Sequence, residues 1–196
     1  MTAISEEAVK QLFTEARTYP GWLPDPVSDD ALHAIYDLMK WGPTSANLSP
    51  ARIVFVKTPE AKEKLIPCLM PMNVEKVKAA PVTAIVAYDD EFHELIPKLF
   101  PMGMGFLETF RSNRQFRETS AMRNGSLQGG YFILAARALG LDCGPMSGFD
   151  NAKLDEAFFA GTKWKSNFIC NIGHGDPKSV HPRLPRLTFE EACRIV

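Results

Sequence analysis

The sequence predicts a single α+β domain, and three observations carry that reading. Segments with apolar residues three and four apart, the mark of helices, are interleaved with short β-branched or wholly apolar runs of strand length. The chain has 196 residues, enough for one sizeable core and too few for two comfortable ones. Its content, 45% hydrophobic and 23% charged, is that of an ordinary globular protein, with no internal repeat or low-complexity stretch.

Residues 5 to 17 read as a first helix, with Val9, Leu12, Phe13 and Ala16 recurring on one side until Pro20 and Gly21 break it. Ser28 is a good N-cap for a second helix, whose stripe of Leu32, Ile35, Tyr36 and Met39 is predicted core; His33 falls off the stripe, on the surface. Gly42 and Pro43 stop that helix. The loop that follows holds four short polar side chains within six residues, Thr44, Ser45, Asn47 and Ser49, which serve equally as turn formers or as ligand contacts. Pro50 biases Ser49 to an extended conformation and leads into a strand at 52–57. Thr58-Pro59 opens a further helix with Leu65, Leu69 and Met70 as its expected buried face. Residues 73–80 are polar and Lys-rich, predicting a surface helix that ends at Pro81.

The continuous apolar run Val82–Ala87 predicts a central strand covered on both faces. Asp89, Asp90 and Glu91 fit the acidic start of a helix better than a metal-ligand set. In segment 92–119, Met102, Met104, Phe106, Leu107 and Phe110 make an adaptable apolar patch interspersed with Arg111, Arg114 and Arg117. Residues 120–139 form the longest predicted helix, apolar nearly all round and therefore expected to be buried. Gly125, Gly129 and Gly130 weaken it by about 1 kcal/mol each relative to Ala, which implies close approach of another backbone, a partner subunit's helix being one candidate. Asp150 caps a helix carrying Leu154, Ala157 and Phe158, which Gly161 ends; Ser166–Ile172 is a strand, and Thr188 with Glu191 forms a capping box for a last short helix.

Charge excludes some functions. Lys plus Arg total 22 against 23 for Asp plus Glu, a net −1, so nothing in bulk electrostatics favours nucleic acid or an anionic membrane. Cys68, Cys143, Cys170 and Cys193 are widely spaced, without a CxxC or metal-type pattern, which fits free thiols in a reducing cytoplasm. No segment reads as a signal peptide or membrane span. No G-x-S-x-G, H-E-x-x-H or strand-linked G-x-G-x-x-G is present, so no standard hydrolase, zinc or Rossmann site is encoded. What remains is separated arginines, a Ser/Thr/Asn loop and a Gly-containing turn, a set suited to a phosphate, a polyol chain and a flat ring.

Several stretches in family order resemble the nitroreductase family. Pro43-Thr-Ser-Ala-Asn-Leu-Ser-Pro50, before the strand Arg52–Val56, is similar to the family's flavin loop Pro-Ser-Ser-x-Asn-x-Gln-Pro-Trp, with Ser49 for Gln and Ala51 for Trp. Arg17-Thr18 resembles the opening Arg-Arg-Ser motif, although Ala16 stands where the other Arg is usual and Trp22 is more distant than the family's aromatic. Leu141–Asp150 resembles Gly-Leu-x-x-x-Pro-(apolar)-Glu-Gly-Phe with Ser147 for Glu, and Arg186 matches the Lys-x-Arg-Leu tail better than Arg183 does. Within the family, the resemblance is closest to a branch assigned to malonic semialdehyde reduction in bacterial pyrimidine degradation.

The resemblance implies a three-layer fold, a mixed or antiparallel sheet flanked by helices, in one flavin-binding domain over 1–196 and an intertwined homodimer. It implies FMN as cofactor, NADPH or NADH as reductant and malonic semialdehyde as the small-molecule substrate, reduced to 3-hydroxypropanoate. Broad nitroaromatic or quinone reduction, and non-enzymatic flavin binding, stand as alternatives. The implied cofactor contacts are Arg17, Thr18, Ser45, Asn47, Pro145, Met146, Ser147, Gly148, Arg183 and Arg186, with the chemistry carried by flavin N5 and no metal. Segment 92–119 corresponds to the variable cover over the flavin. An anionic substrate then calls for a cation among Arg111, Arg114, Arg117 and Arg123, the last being the weakest choice because it opens the helix expected to be buried.

Overall fold

A computed structural model describes residues 2–196. The elements in order are α1 (Glu6–Val9, continued by one π-helical turn Lys10–Thr14), α2 (Asp29–Met39), β1 (Ala51–Val56), α3 (Pro59–Leu65), α4 (Pro71–Ala79) and β2 (Val82–Asp89). Then come α5 (Ile96–Leu99), α6 (Met104–Ser112), α7 (Arg114–Ala138), β3 (Asp142–Met146), α8 (Asn151–Phe159), β4 (Trp164–Gly173) and α9 (Phe189–Ala192). The strands form one sheet in the order β1-β2-β4-β3, every neighbouring pair antiparallel.

The pleat of β2 explains the layering. Val82, Ala84 and Val86 face one side, where Leu32, Ile35 and Met39 of α2 and Phe132, Ala135 and Ala136 of α7 cover them. Ile85 and Ala87 face the other, against Leu65, Val77 and Leu154 from α3, α4 and α8. A third cluster, Leu48, Phe92, Ile96, Phe110 and Ala121, joins segment 92–112 to the loop before β1. Helices thus cover both faces, and β2 is the central strand that its unbroken apolar run predicts. The helix starts also agree: Ser28, Thr58 and Asp150 accept from the N3 backbone, and Thr188 with Glu191 completes a capping box.

Several expectations need correction. The first helix ends at Thr14, with Val9 and Phe13 left exposed. Tyr36 and Met70, assigned to buried faces, are 54% and 52% exposed; Met70 falls outside the helix expected to carry it, which ends at Leu65, and is the N-cap of α4. The longest helix starts at Arg114 rather than at residue 120 and is not buried all round: Met122, Leu127, Tyr131 and Leu139 are exposed along one side. Two of its three expected close-approach glycines, Gly125 and Gly129, answer to this chain's own sheet. A Cβ at Gly129 would stand 2.5 Å from Phe168 Cε1, and one at Gly125 3.1 Å from Tyr88 Cβ, whereas Gly130 meets nothing within 4 Å. Asp89 and Asp90 serve as ion-pair partners of Arg52 (2.8 Å) and Arg117 (3.3 Å).

Candidate functional site

The segment after α1 lies against the β3 side of the sheet. Thr18 bridges Cys143 in parallel, Tyr19 N–H donates to the Cys143 carbonyl (3.2 Å), and Leu23 N–H donates to the His174 carbonyl (2.8 Å). Gly144 permits the approach, since a Cβ there would stand 2.8 Å from the Tyr19 carbonyl oxygen. The C-terminal tail returns to the same place. Arg17 Nη2 donates to the His181 carbonyl, and Arg183 Nη2 donates to the carbonyls of Thr14 (2.9 Å) and Ala16 (3.1 Å).

Between these strands of chain lies a cleft of about 920 Å³. Arg17, Lys76, Arg137, Arg183 and Arg186 line it, and among the described residues no Asp or Glu does. Such a lining favours an anion, and guanidinium forks bond phosphate oxygens in pairs. The backbone of Pro145 and Met146 forms one wall, and Tyr19 another. Burial, reinforced by the charge of Asp142, pushes the Tyr19 phenol above its ordinary value of 10.0, so it remains protonated.

The polar loop forms a second feature elsewhere on the chain. Ala46, Asn47 and Ser49 all have positive φ (48°, 53° and 42°), so Ser49 is not in the extended conformation expected before Pro50, and L-residues adopt such a conformation only at a cost of about 1 kcal/mol or more each. The surroundings impose it. Ser45 N–H donates to Asn124 Oδ1 (2.8 Å) and Ala51 N–H to Gln128 Oε1 (2.8 Å), both side chains buried on α7. Ser49 N–H donates to Thr44 Oγ1 (3.1 Å), and Asn47 Nδ2 donates to the Leu99 carbonyl (2.9 Å). Asn47 and Ser49 line a cleft of about 290 Å³ with Trp41 and Arg52, while Ser45 is exposed beside it. Strain held in place from several sides keeps the loop in one shape, a feature that clusters at ligand-binding sites.

Six of the ten expected contact residues therefore meet in the cationic cleft: Arg17, Thr18, Pro145, Met146, Arg183 and Arg186. Ser147 and Gly148 continue from its wall into a turn tied to α4, where the Gly148 carbonyl accepts from Asn73 Nδ2 (3.0 Å) and Met70 N–H (3.0 Å). Ser45 and Asn47 belong to the other feature. Sequence reasoning missed Lys76 and Arg137. Lys76 was assigned to a solvated surface, but its Nζ donates to the buried Asn73 (3.2 Å) and lines the cleft. Arg137 did carry a signal, being a cation inside a helix that reads as apolar.

The arginines around the cover differ in what they hold. Arg111 forms a fork with Glu94 (2.9 and 2.6 Å), Arg114 pairs with Glu118 (2.8 Å), and Arg117 pairs with Asp90 with both side chains less than a fifth exposed. Among the described residues, Arg123 alone of the four has no ion-pair partner. It lies on the uncovered side of α7, lining a shallow hollow with Leu127, Gly130 and Tyr131. Also among the described residues, no His, Cys, Asp or Glu cluster has metal-site geometry and no helix is long and apolar enough to cross a membrane.

Comparison with known proteins bears on the family. Two curated relatives, both provisionally named NADH dehydrogenase/NAD(P)H nitroreductase, align end to end. The protein from Cupriavidus pinatubonensis is 58% identical over 97% of this chain and 98% of its own. That from Ralstonia nicotianae is 54% identical over 100% of both. Among solved structures, a nitroreductase-like protein from Bacillus subtilis superposes with a TM-score of 0.85 at 22% identity, covering 98% of this chain and 100% of that one. A similar protein from Exiguobacterium sibiricum, solved in complex with FMN, gives 0.82 at 18% identity over 100% and 99%. The nitroreductase family profile matches residues 14–174, a span from the cationic segment after α1 to the end of β4, and the chain is a member of the nitroreductase family.

Proposed function

We propose that this chain is an FMN-dependent NAD(P)H oxidoreductase acting as a homodimer, and that its substrate is malonic semialdehyde, reduced to 3-hydroxypropanoate. The observation that carries the cofactor is the cleft lined by five cations and no carboxylate, which suits the phosphate of FMN. Bound FMN would supply the two-electron chemistry at N5. The chain's own part is binding and orientation: Arg17, Thr18, Arg183 and Arg186 take the phosphate end, while Pro145 to Gly148 pass beside the ring. Ser45 and Asn47 lie on a separate feature, which supports their closing over the flavin of a second copy.

The homodimer is supported by the exposed apolar side of α7, with Leu127 and Tyr131 flanking the open Gly130, and by the exposed Leu184, Leu187 and Phe189 of the tail. The substrate is supported by Arg123. A small anionic aldehyde needs a cation for its carboxylate, and Arg111, Arg114 and Arg117 are already committed to carboxylates of their own. This proposal departs from the order of preference drawn from sequence, in which Arg123 is the weakest choice.

The test compares kcat/KM for malonic semialdehyde, propanal and a quinone with NADPH and with NADH. The wild type should prefer the semialdehyde over propanal, and Arg123→Gln should abolish that preference while leaving quinone turnover unchanged. No preference in the wild type would favour a broad nitroaromatic or quinone reductase. No NAD(P)H turnover with any acceptor would favour a flavin-binding protein without activity.

A further inference from the structure

We infer that Arg137, on the last turn of α7, is an additional ligand of the flavin phosphate and takes the place of the arginine absent at Ala16. This rests on the FMN reading above. The phosphate motif after α1 has one arginine where two are usual, yet the space beside Ala16 is not short of charge. Arg137 enters the same cleft from the far side of the chain, lining it with Ala16, Arg17, Thr18, Arg183 and Arg186.

Its setting points to an anion. The guanidinium is half-buried and its Nη1 donates to the Leu12 carbonyl (2.9 Å), which aims the fork at the end of the first helix. The Nε–H is fully buried and has no hydrogen-bond partner among the described residues. Gln11 Nε2 donates to the Arg137 carbonyl (2.6 Å), fixing the backbone beneath it. No carboxylate pairs with Arg137 among the described residues and none lines the cleft. A half-buried guanidinium that no carboxylate neutralises costs free energy unless something negative meets it from the cleft. A helix C-terminus favours a cation in its own right, but it neither directs the group into a cleft nor explains the orphaned Nε–H.

The experiment is a pair of titrations, FMN and riboflavin, followed by flavin fluorescence on full-length apoprotein. Riboflavin lacks only the phosphate, so the ratio of the two dissociation constants isolates the phosphate contacts. Arg137→Gln should raise the FMN constant on the order of tenfold to a hundredfold, the range for a charge-assisted bond, and leave riboflavin unchanged. Adding Ala16→Arg to the same chain should restore part of the FMN preference. Should Arg137→Gln fold poorly, Arg137→Lys provides the check: it keeps the cation and should keep most of that preference. Arg137→Gln with an unchanged FMN-to-riboflavin ratio overturns the assignment, whether both constants rise together or neither moves. In the fallback, Arg137→Lys that binds FMN no better than riboflavin does the same. A wild type that binds riboflavin as tightly as FMN, or binds neither, removes the FMN reading itself and this inference with it.

Discussion

Gly129 sets how closely α7 lies on the sheet, and Gly129→Ala measures that seating. The new methyl would stand 2.5 and 2.7 Å from Phe168 Cε1 and Cζ and 3.4 Å from Val86 Cγ1. Carbon pairs settle at about 3.5–4.0 Å, so the helix or the ring must move by roughly 1 Å. Overpacking of this kind costs about 1–3 kcal/mol, against a gain of about 0.8–1.0 kcal/mol from replacing Gly by Ala in a helix. The net loss, from about zero to about 2 kcal/mol, corresponds to a melting temperature lower by up to about 8 °C for a chain of this length. The assay is thermal unfolding at fixed protein concentration and saturating FMN. Gly105→Ala in α6, where a Cβ meets nothing within 4 Å, is the control and should be neutral or slightly stabilising. Phe168→Leu should recover part of the loss in the Gly129→Ala background. Because Asn124 and Gln128 hold the strained loop from the same helix, FMN affinity should fall as well. Gly129→Ala stabilised as much as Gly105→Ala, with no overpacking cost, would refute the close seating.

Arg186→Ala should weaken FMN more than Arg183→Ala, since Arg183 already donates to two carbonyls at the end of the first helix while Arg186 bonds only its own neighbours' carbonyls; equal, negligible effects in a flavin titration would show that the tail is not the phosphate site. His93 should make stability fall with acidification. Burial holds its pKa below the ordinary 6.5, outweighing the opposing charge of Glu94, so below that value the unfolded chain takes up a proton that the folded chain refuses. Melting temperature should therefore fall from about pH 7 to about pH 5, with a shallower slope in His93→Phe; identical slopes would contradict it.

Much of this protein is legible in the sequence, because the signals involved are local. Caps at Ser28, Thr58, Asp150 and Thr188 act within three residues, and the unbroken run Val82–Ala87 needs cover on both faces wherever it lies. The cleft was partly legible too, since Arg17, Thr18, Pro145, Met146 and Arg186 lie in short motifs whose order along the chain carries the information. Partnerships between distant residues were not. No spacing rule joins Arg137 to Ala16, Arg117 to Asp90 or Asn124 to Ser45, because the sheet order β1-β2-β4-β3 and the long α7 bring them together. The same holds for burial. Tyr36 and Leu127 belong to apolar stripes, but a stripe states only that a residue suits an interior. Whether a neighbour covers it is decided by how the helix is turned on the sheet and what packs beside it, and that exists only in the tertiary structure.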